Sequence, residues 1–223
     1  FKQAKLGIVG HSEGGTIAVM VAAQNKNVDF IVSMAGMMVS AKQTLLYQVE
    51  AINKMDTTIS SSELSESIRI SEILYEHIEQ AKSSKEAVDR CGKLLREYSA
   101  SMTDEQRKRL KMTQQDIFAT LRNIGSPWFY ELFRLNQPKY LKKVKCPVLA
   151  LNGKKDLQVE WESNFAVFEQ NLPKKTSFTT HAYEQLNHLF QPCTTGSPSE
   201  YGEIETTISE DVLRDIEQWL EER

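Results

Sequence analysis

The 223-residue sequence has no apolar run long enough to cross a membrane and no leader of the secretory kind. It also has no excess of basic charge. The formal net charge is −3, so no basic face recommends nucleic acid or an anionic membrane surface as a partner. Cysteine is scarce: Cys91, Cys146 and Cys193 are far apart, match no metal-ligand spacing, and their odd number argues against a full disulfide framework. No internal repeat or low-complexity tract points to a solenoid or a disordered tail. The first residue is Phe, which is read as the start of a C-terminal portion of a longer protein and leaves the compartment open. Hydrophobic content of 40% and charged content of 26% are those of an ordinary globular domain able to bury a sizeable core.

What is present begins almost at once. Lys5–Val9 is a short apolar strand that runs into Gly10-His11-Ser12-Glu13-Gly14, a Gly-x-Ser-x-Gly pattern, and Thr16–Ala23 follows as a helix of small residues. Strand, tight turn and helix in that order are the setting of a nucleophile elbow. Gly10 and Gly14 are expected to be glycines because a Cβ at either would meet the neighbouring strand or helix. Ser12 is expected on a strained turn, its hydroxyl exposed at the start of a helix.

Asp29–Met34 is a second apolar strand, which makes Lys5–Met34 a βαβ unit with both strands read as buried on both faces. From about residue 43 to 123 glycine nearly vanishes, Gly92 alone remaining, and charged residues interleave with apolar ones at helical spacing. Leu64, Ile68, Ser71, Tyr75 and Ile78 form one stripe, and Val88, Cys91, Leu95 and Tyr98 another. Thr103 with Gln106, Thr113 with Asp116, and Ser126-Pro127 read as helix starts. The sheet pattern returns after Cys146, itself read as a small buried residue, with a strand over Pro147–Leu151. A helix over Trp161–Asn171 and a β-rich stretch over Thr176–Tyr183 follow. Then come a long polar loop and a last helix capped by Ser209. The expected organisation is an α/β core over residues 1–42 and 144–223, with a helical insertion over 43–143. That insertion is read as a cap over an active site or as a helical decoration.

A serine hydroxyl needs a base to take its proton, and the base needs an orienting carboxylate. Of four histidines, His11 is inside the elbow and is read as structural, His77 as solvated on a polar helix face, and His181 as a packed or edge residue. His188 sits in a loop after the last strand, in Leu186-Asn187-His188-Leu189-Phe190. Asp156 lies just past the C-terminal end of a buried strand, where functional groups of open α/β sheets collect. Taken alone, Asp156 reads equally as a turn residue and His188 as an ordinary loop residue. Together, Ser12, Asp156 and His188 run in the order Ser…Asp…His of α/β-hydrolases.

The segments Gly10–Gly15, Leu149–Gln158 and Leu186–Gln191 resemble those of bacterial α/β-hydrolase esterases of the serine-hydrolase superfamily. The resemblance runs from residue 5 to the C-terminus and is loose through the insertion. It implies a partial α/β-hydrolase fold with a helical cap and a Ser-His-Asp esterase that needs no metal or organic cofactor. It also implies that the Glu13 backbone N–H is one oxyanion-hole donor, and that Ser126, Trp128 and Phe129 line an acyl pocket. For these three, a helix cap with core aromatics is the alternative. The family's second oxyanion donor comes from a segment not found in this sequence. The expected partner is a small-molecule ester, and the outer edge of Lys5–Val9 offers itself for self-association. Superfamily relatives include peptidases and thioesterases, and a binding module that keeps a hydrolase shell is the non-catalytic alternative.

Overall fold

Strands β1 (Gly7–His11), β2 (Phe30–Met34), β3 (Val148–Gly153) and β4 (Phe178–Tyr183) form one parallel sheet in the order β1-β2-β3-β4. The computed structural model describes residues 4–223. Gly7 pairs with Phe30, Ile31 with Val148, and Val148 with Phe178, so the C-terminal strand ends lie side by side. Helix α1 (Glu13–Gln24) links β1 to β2, and α9 (Trp161–Asn171) links β3 to β4.

Alternation along each strand divides the core into two layers. Ile31, Val148 and Ala150 face one side, where Ala18 and Val19 of α1 and Phe165 and Phe168 of α9 cover them. Val32, Leu149 and Leu151 face the other, packed with Tyr183, Phe190 and the α10 residues Val212 and Trp219; α10 spans Glu210–Glu221. β1 departs from the expected two-sided burial. It stands first in the sheet order, and while Ile8 packs on the α1 layer, Val9 is 55% exposed. Cys146 is only partly buried, packed against the α1 layer rather than within it.

The chain divides into two units. One runs to Met55 and resumes at Asn136; the other is Asp56–Leu135. Helices α2 (Ala41–Asn53) and α8 (Gln137–Leu141), read from sequence as part of the 43–143 insertion, lie with the sheet unit. The reason is tertiary. Tyr47 Oη donates to the Asp156 carbonyl at 2.7 Å, Gln48 Nε2 to the Gln158 carbonyl at 3.0 Å, and Gln137 Nε2 to the Val39 carbonyl at 3.0 Å.

The helical unit contains α3 (Ser61–Gln80), α4 (Ser84–Ala100), α5 (Asp104–Arg109), α6 (Gln114–Ile124) and α7 (Pro127–Leu132). Thr103 with Gln106 and Thr113 with Asp116 form capping boxes, and the Ser126 hydroxyl accepts from the Phe129 N–H. Ser209 precedes α10 without a side-chain cap bond, so the acidic first turn of Glu210 and Asp211 stands without it. The buried face of α3 is Ile70, Leu74, Tyr75 and Ile78, one turn further along than the N-terminal half of the expected stripe. His77 is partly exposed, and its Nδ1 is buried without a hydrogen-bond partner among the described residues.

Candidate active site

The elbow is built by close backbone approach. A Cβ on Gly10 would lie 2.1 Å from the Gly14 carbonyl oxygen, so only glycine fits there. The companion expectation for Gly14 does not hold, because a Cβ at that position meets nothing within 4 Å. The tight contact belongs to the next residue: a Cβ on Gly15 would lie 2.7 Å from Ser33 Oγ and 2.9 Å from Gly36 Cα. The first turn of α1 therefore presses Gly15, not Gly14, against the end of β2.

Between these contacts Ser12 adopts φ 55°, ψ −123°. A positive φ in a non-glycine residue is costly and persists only where its surroundings impose it. Here the Ser12 N–H donates to the Met34 carbonyl at 2.8 Å and its own carbonyl accepts from Gly15 N–H at 2.9 Å. Ser12 occupies the N-cap position of α1, but its hydroxyl makes no capping bond. It faces His188 instead, with Oγ 3.0 Å from Nε2. On the other side of the ring, Nδ1 lies 2.8 Å from Asp156 Oδ2. The carboxylate selects the tautomer with its proton on Nδ1, which turns the Nε2 lone pair toward the serine.

Asp156 is 1% exposed, and its fixed position comes from the turn after β3. Its Oδ1 accepts from the N–H groups of Gln158 at 2.7 Å and Val159 at 2.9 Å. Asn152, buried at the end of β3, donates to the Val159 carbonyl at 2.9 Å and closes the loop. Tyr47, which holds the Asp156 carbonyl, has its phenol pushed up to about 12, first by burial and then by the charge of Asp156. It stays protonated and remains a donor.

His188 is carried by a loop of buried amides. Asn187 Oδ1 accepts from the N–H groups of Leu189 (2.9 Å) and Gln191 (3.0 Å), and Asn187 Nδ2 donates to Gln191 Oε1 at 3.0 Å. Asn187 is fully buried and Gln191 nearly so. Phe190 closes the turn at φ 60° and anchors it in the α10 layer. His11 takes a supporting place beneath this loop, its Nε2 2.8 Å from the His188 carbonyl and the two rings 4.8 Å apart. Burial holds the His11 imidazole below its ordinary value, outweighing the upward pull of that hydrogen bond.

Ser12, Asp156 and His188, far apart in sequence, thus meet beside the C-terminal strand ends. Glu13 opens α1, where first-turn N–H groups point out along the helix axis beside Ser12. Ser126, Trp128 and Phe129 belong to the helical unit. Ser126 caps α7, Phe129 is buried with its ring 5.2 Å from Phe133, and Trp128 is half-exposed. His181, at the sheet's far edge, stacks on Tyr183 and lies 3.1 Å from Asp215. Asn152, Asn187, Gln191 and Tyr47 escaped the sequence reading. A polar residue inside the apolar Val148–Gly153 run was the only signal for Asn152, and Asn187 and Gln191 flank His188 without a motif of their own.

A family model described as BAAT / Acyl-CoA thioester hydrolase C terminal matches residues 1–91. No curated protein matches the chain. Among solved structures it is similar to an esterase of Pyrococcus furiosus, at 15% identity and a TM-score of 0.38, over 82% of this chain and 46% of that one. It is similar to acetyl xylan esterase 1 from a Thermoanaerobacterium species at 15% identity and a TM-score of 0.40, covering 82% and 40% of the two chains. An alpha/beta fold family hydrolase from Bacillus anthracis is 20% identical with a TM-score of 0.42, over 82% of this chain and 61% of that one. The chain thus spans between 40% and 61% of the length of these three. Its parallel sheet order, with a strand–turn–helix serine in β1–α1, is that of part of an α/β-hydrolase fold.

Proposed function

We propose that the sheet unit hydrolyses carboxylic esters by acyl transfer through Ser12. The observation that carries this reading is the relay from Asp156 through His188 to Ser12, with steps of 2.8 and 3.0 Å, ending on a serine held at positive φ. His188 Nε2 takes the hydroxyl proton as Ser12 Oγ bonds to the acyl carbon, and the carbonyl oxygen gains charge beside the Glu13 N–H. Collapse of the tetrahedral intermediate breaks the bond to the alcohol, which leaves with the proton from His188. Water, deprotonated by the same imidazole, then releases the acid and restores Ser12. Asp156 keeps the imidazole in the required tautomer throughout.

The test is hydrolysis of short p-nitrophenyl esters by the chain and by Ser12→Ala, beside intact mass after a fluorophosphonate probe. Loss of an activated serine lowers turnover by roughly 10⁴-fold or more, and the expected adduct is single and confined to the unaltered chain. Turnover or labelling that survives in Ser12→Ala overturns the assignment. A thioester in place of the ester is the second reading, favoured by the family-model match over residues 1–91. Competition of ester turnover by an acyl thioester separates the two.

A further inference from the structure

The helical unit holds a cleft of about 810 Å³ among α4, α5 and α6. Its apolar wall is made by Ile117, Leu121 and Phe118, the last 68% exposed, which is unusual for a phenylalanine. Three cations, Arg96, Arg107 and Lys108, line it against one carboxylate, Asp104. That carboxylate is already committed: Arg107 lies 2.6 Å from Asp104 and also donates to the carbonyls of Ser99 and Met102. Arg96 differs. Its side chain is exposed, and, as for Lys108, no described residue gives its charged group a hydrogen bond or an ion pair.

Gly92 leaves room beside that guanidinium. A Cβ there would be 3.0 Å from Arg96 Nη1 and 3.2 Å from Leu121 Cδ1, so the glycine makes room for the charged fork beside the apolar wall. Glycine inside a helix is otherwise unfavourable relative to alanine. Its presence in the middle of α4 is matched by the close approach of Arg96 and Leu121. A planar fork without a partner, set next to apolar side chains, is complementary to a molecule with a carboxylate at one end and a hydrocarbon chain behind it. The fork takes both carboxylate oxygens, and the wall takes the chain.

We propose that this cleft binds a carboxylate with an apolar tail, of the medium-chain fatty-acid class, with Arg96 holding the head group and Leu121 and Phe118 receiving the tail. The site lies wholly in the helical unit and does not depend on the reading of Ser12. The test is titration of the full chain with decanoate, followed by amide chemical shifts. The expected result is a saturable shift on α4 and α6, including Gly92 and Leu121. Arg96→Gln should weaken binding by roughly tenfold or more, as for loss of a charged hydrogen bond. Arg96→Lys should retain part of the affinity. Decan-1-ol and decyltrimethylammonium should bind at least tenfold more weakly. Shifts confined to the sheet unit, no saturable shift, or unchanged affinity in Arg96→Gln would overturn the proposal. Equal binding of the alcohol would overturn it as well, by reducing the cleft to an apolar patch.

Discussion

Gly10 and Gly14 flank the same serine in the same pattern, yet the structure assigns them opposite tolerances. A methyl group on Gly10 would stand 2.1 Å from the Gly14 oxygen, 2.3 Å from its carbonyl carbon and 2.8 Å from Gly15 N, all backbone atoms. Ordinary contact begins at 3.4 Å, so the closest pair is short by about 1.3 Å, and neither side can turn away by changing rotamer. Either β1 or the first turn of α1 must move by about an ångström. Overpacking of this kind costs about 1–3 kcal/mol, which for a chain of this size lowers the thermal midpoint by roughly 2–12 °C. The same displacement shifts Ser12 relative to His188, and a misplacement of about 1 Å costs roughly 10²-fold in rate. Gly14→Ala meets nothing within 4 Å and replaces a glycine in the first turn of a helix, so it should be neutral or stabilising by up to about 1 kcal/mol. Urea unfolding and the rate of fluorophosphonate labelling, measured on both variants, make the comparison. The reasoning is refuted if Gly10→Ala unfolds and labels like the unaltered chain, or if Gly14→Ala costs as much as Gly10→Ala.

Removing the amide under His188 should separate positioning from binding. Asn187→Ala deletes three hydrogen bonds, two of them buried, and is expected to lower kcat by roughly tenfold to a hundredfold with KM little changed, and Asn187→Asp, which keeps the Oδ1 acceptor, should recover part of it; an unchanged kcat in Asn187→Ala would show that the loop holds His188 without this amide. In the helical unit, the backbone and hydroxyl of Ser60 and then Arg109 depress Glu63 from 4.5 to about 2. A depressed carboxyl stabilises the folded state above its unfolded value and loses that contribution as pH falls from about 4.5 through about 2. Melting curves between pH 5 and pH 2 should therefore show a steeper loss for the unaltered chain than for Glu63→Gln, and parallel curves would contradict the sign.

The parts of this chain that could be read from sequence are those in which local chemistry and the final contact coincide. The apolar runs of β2 and β3 are buried on both faces because both layers of the core need them. The Thr103 and Thr113 boxes close within four residues, so neither depends on anything distant. Lys5–Val9 is a short apolar run like β2, and its composition predicts the same two-sided burial. Its exposure follows from its being first in the sheet order, which no pattern inside the strand encodes. The division between the units was hidden for a related reason. α2 has the interleaved charged and apolar residues of the helices that follow it, while Tyr47 and Gln48 reach the turn after β3 and tie it to the sheet unit.

At the site the same limit recurs on a finer scale. A Gly-x-Ser-x-Gly pattern says that the turn is tight, but which glycine faces β2 depends on the phase at which α1 leaves the turn, and that phase selects Gly15. The order Ser12, Asp156, His188 was legible because each residue stands at a recognisable place relative to a strand end. What fixes their geometry was not legible, since it lies in bonds between amides and backbone: Asn152 to Val159, Gln158 and Val159 to Asp156, Asn187 to Leu189 and Gln191. Asn and Gln are ordinary in loops, and nothing in their spacing marks one as buried. The three residues of the proposed relay can therefore be named from a sequence, while the hydrogen bonds that hold two of them in place come from neighbouring amides and backbone. The sensitivity of turnover to Asn187, more than to any further change at Ser12, measures how much of the proposed chemistry this loop supplies.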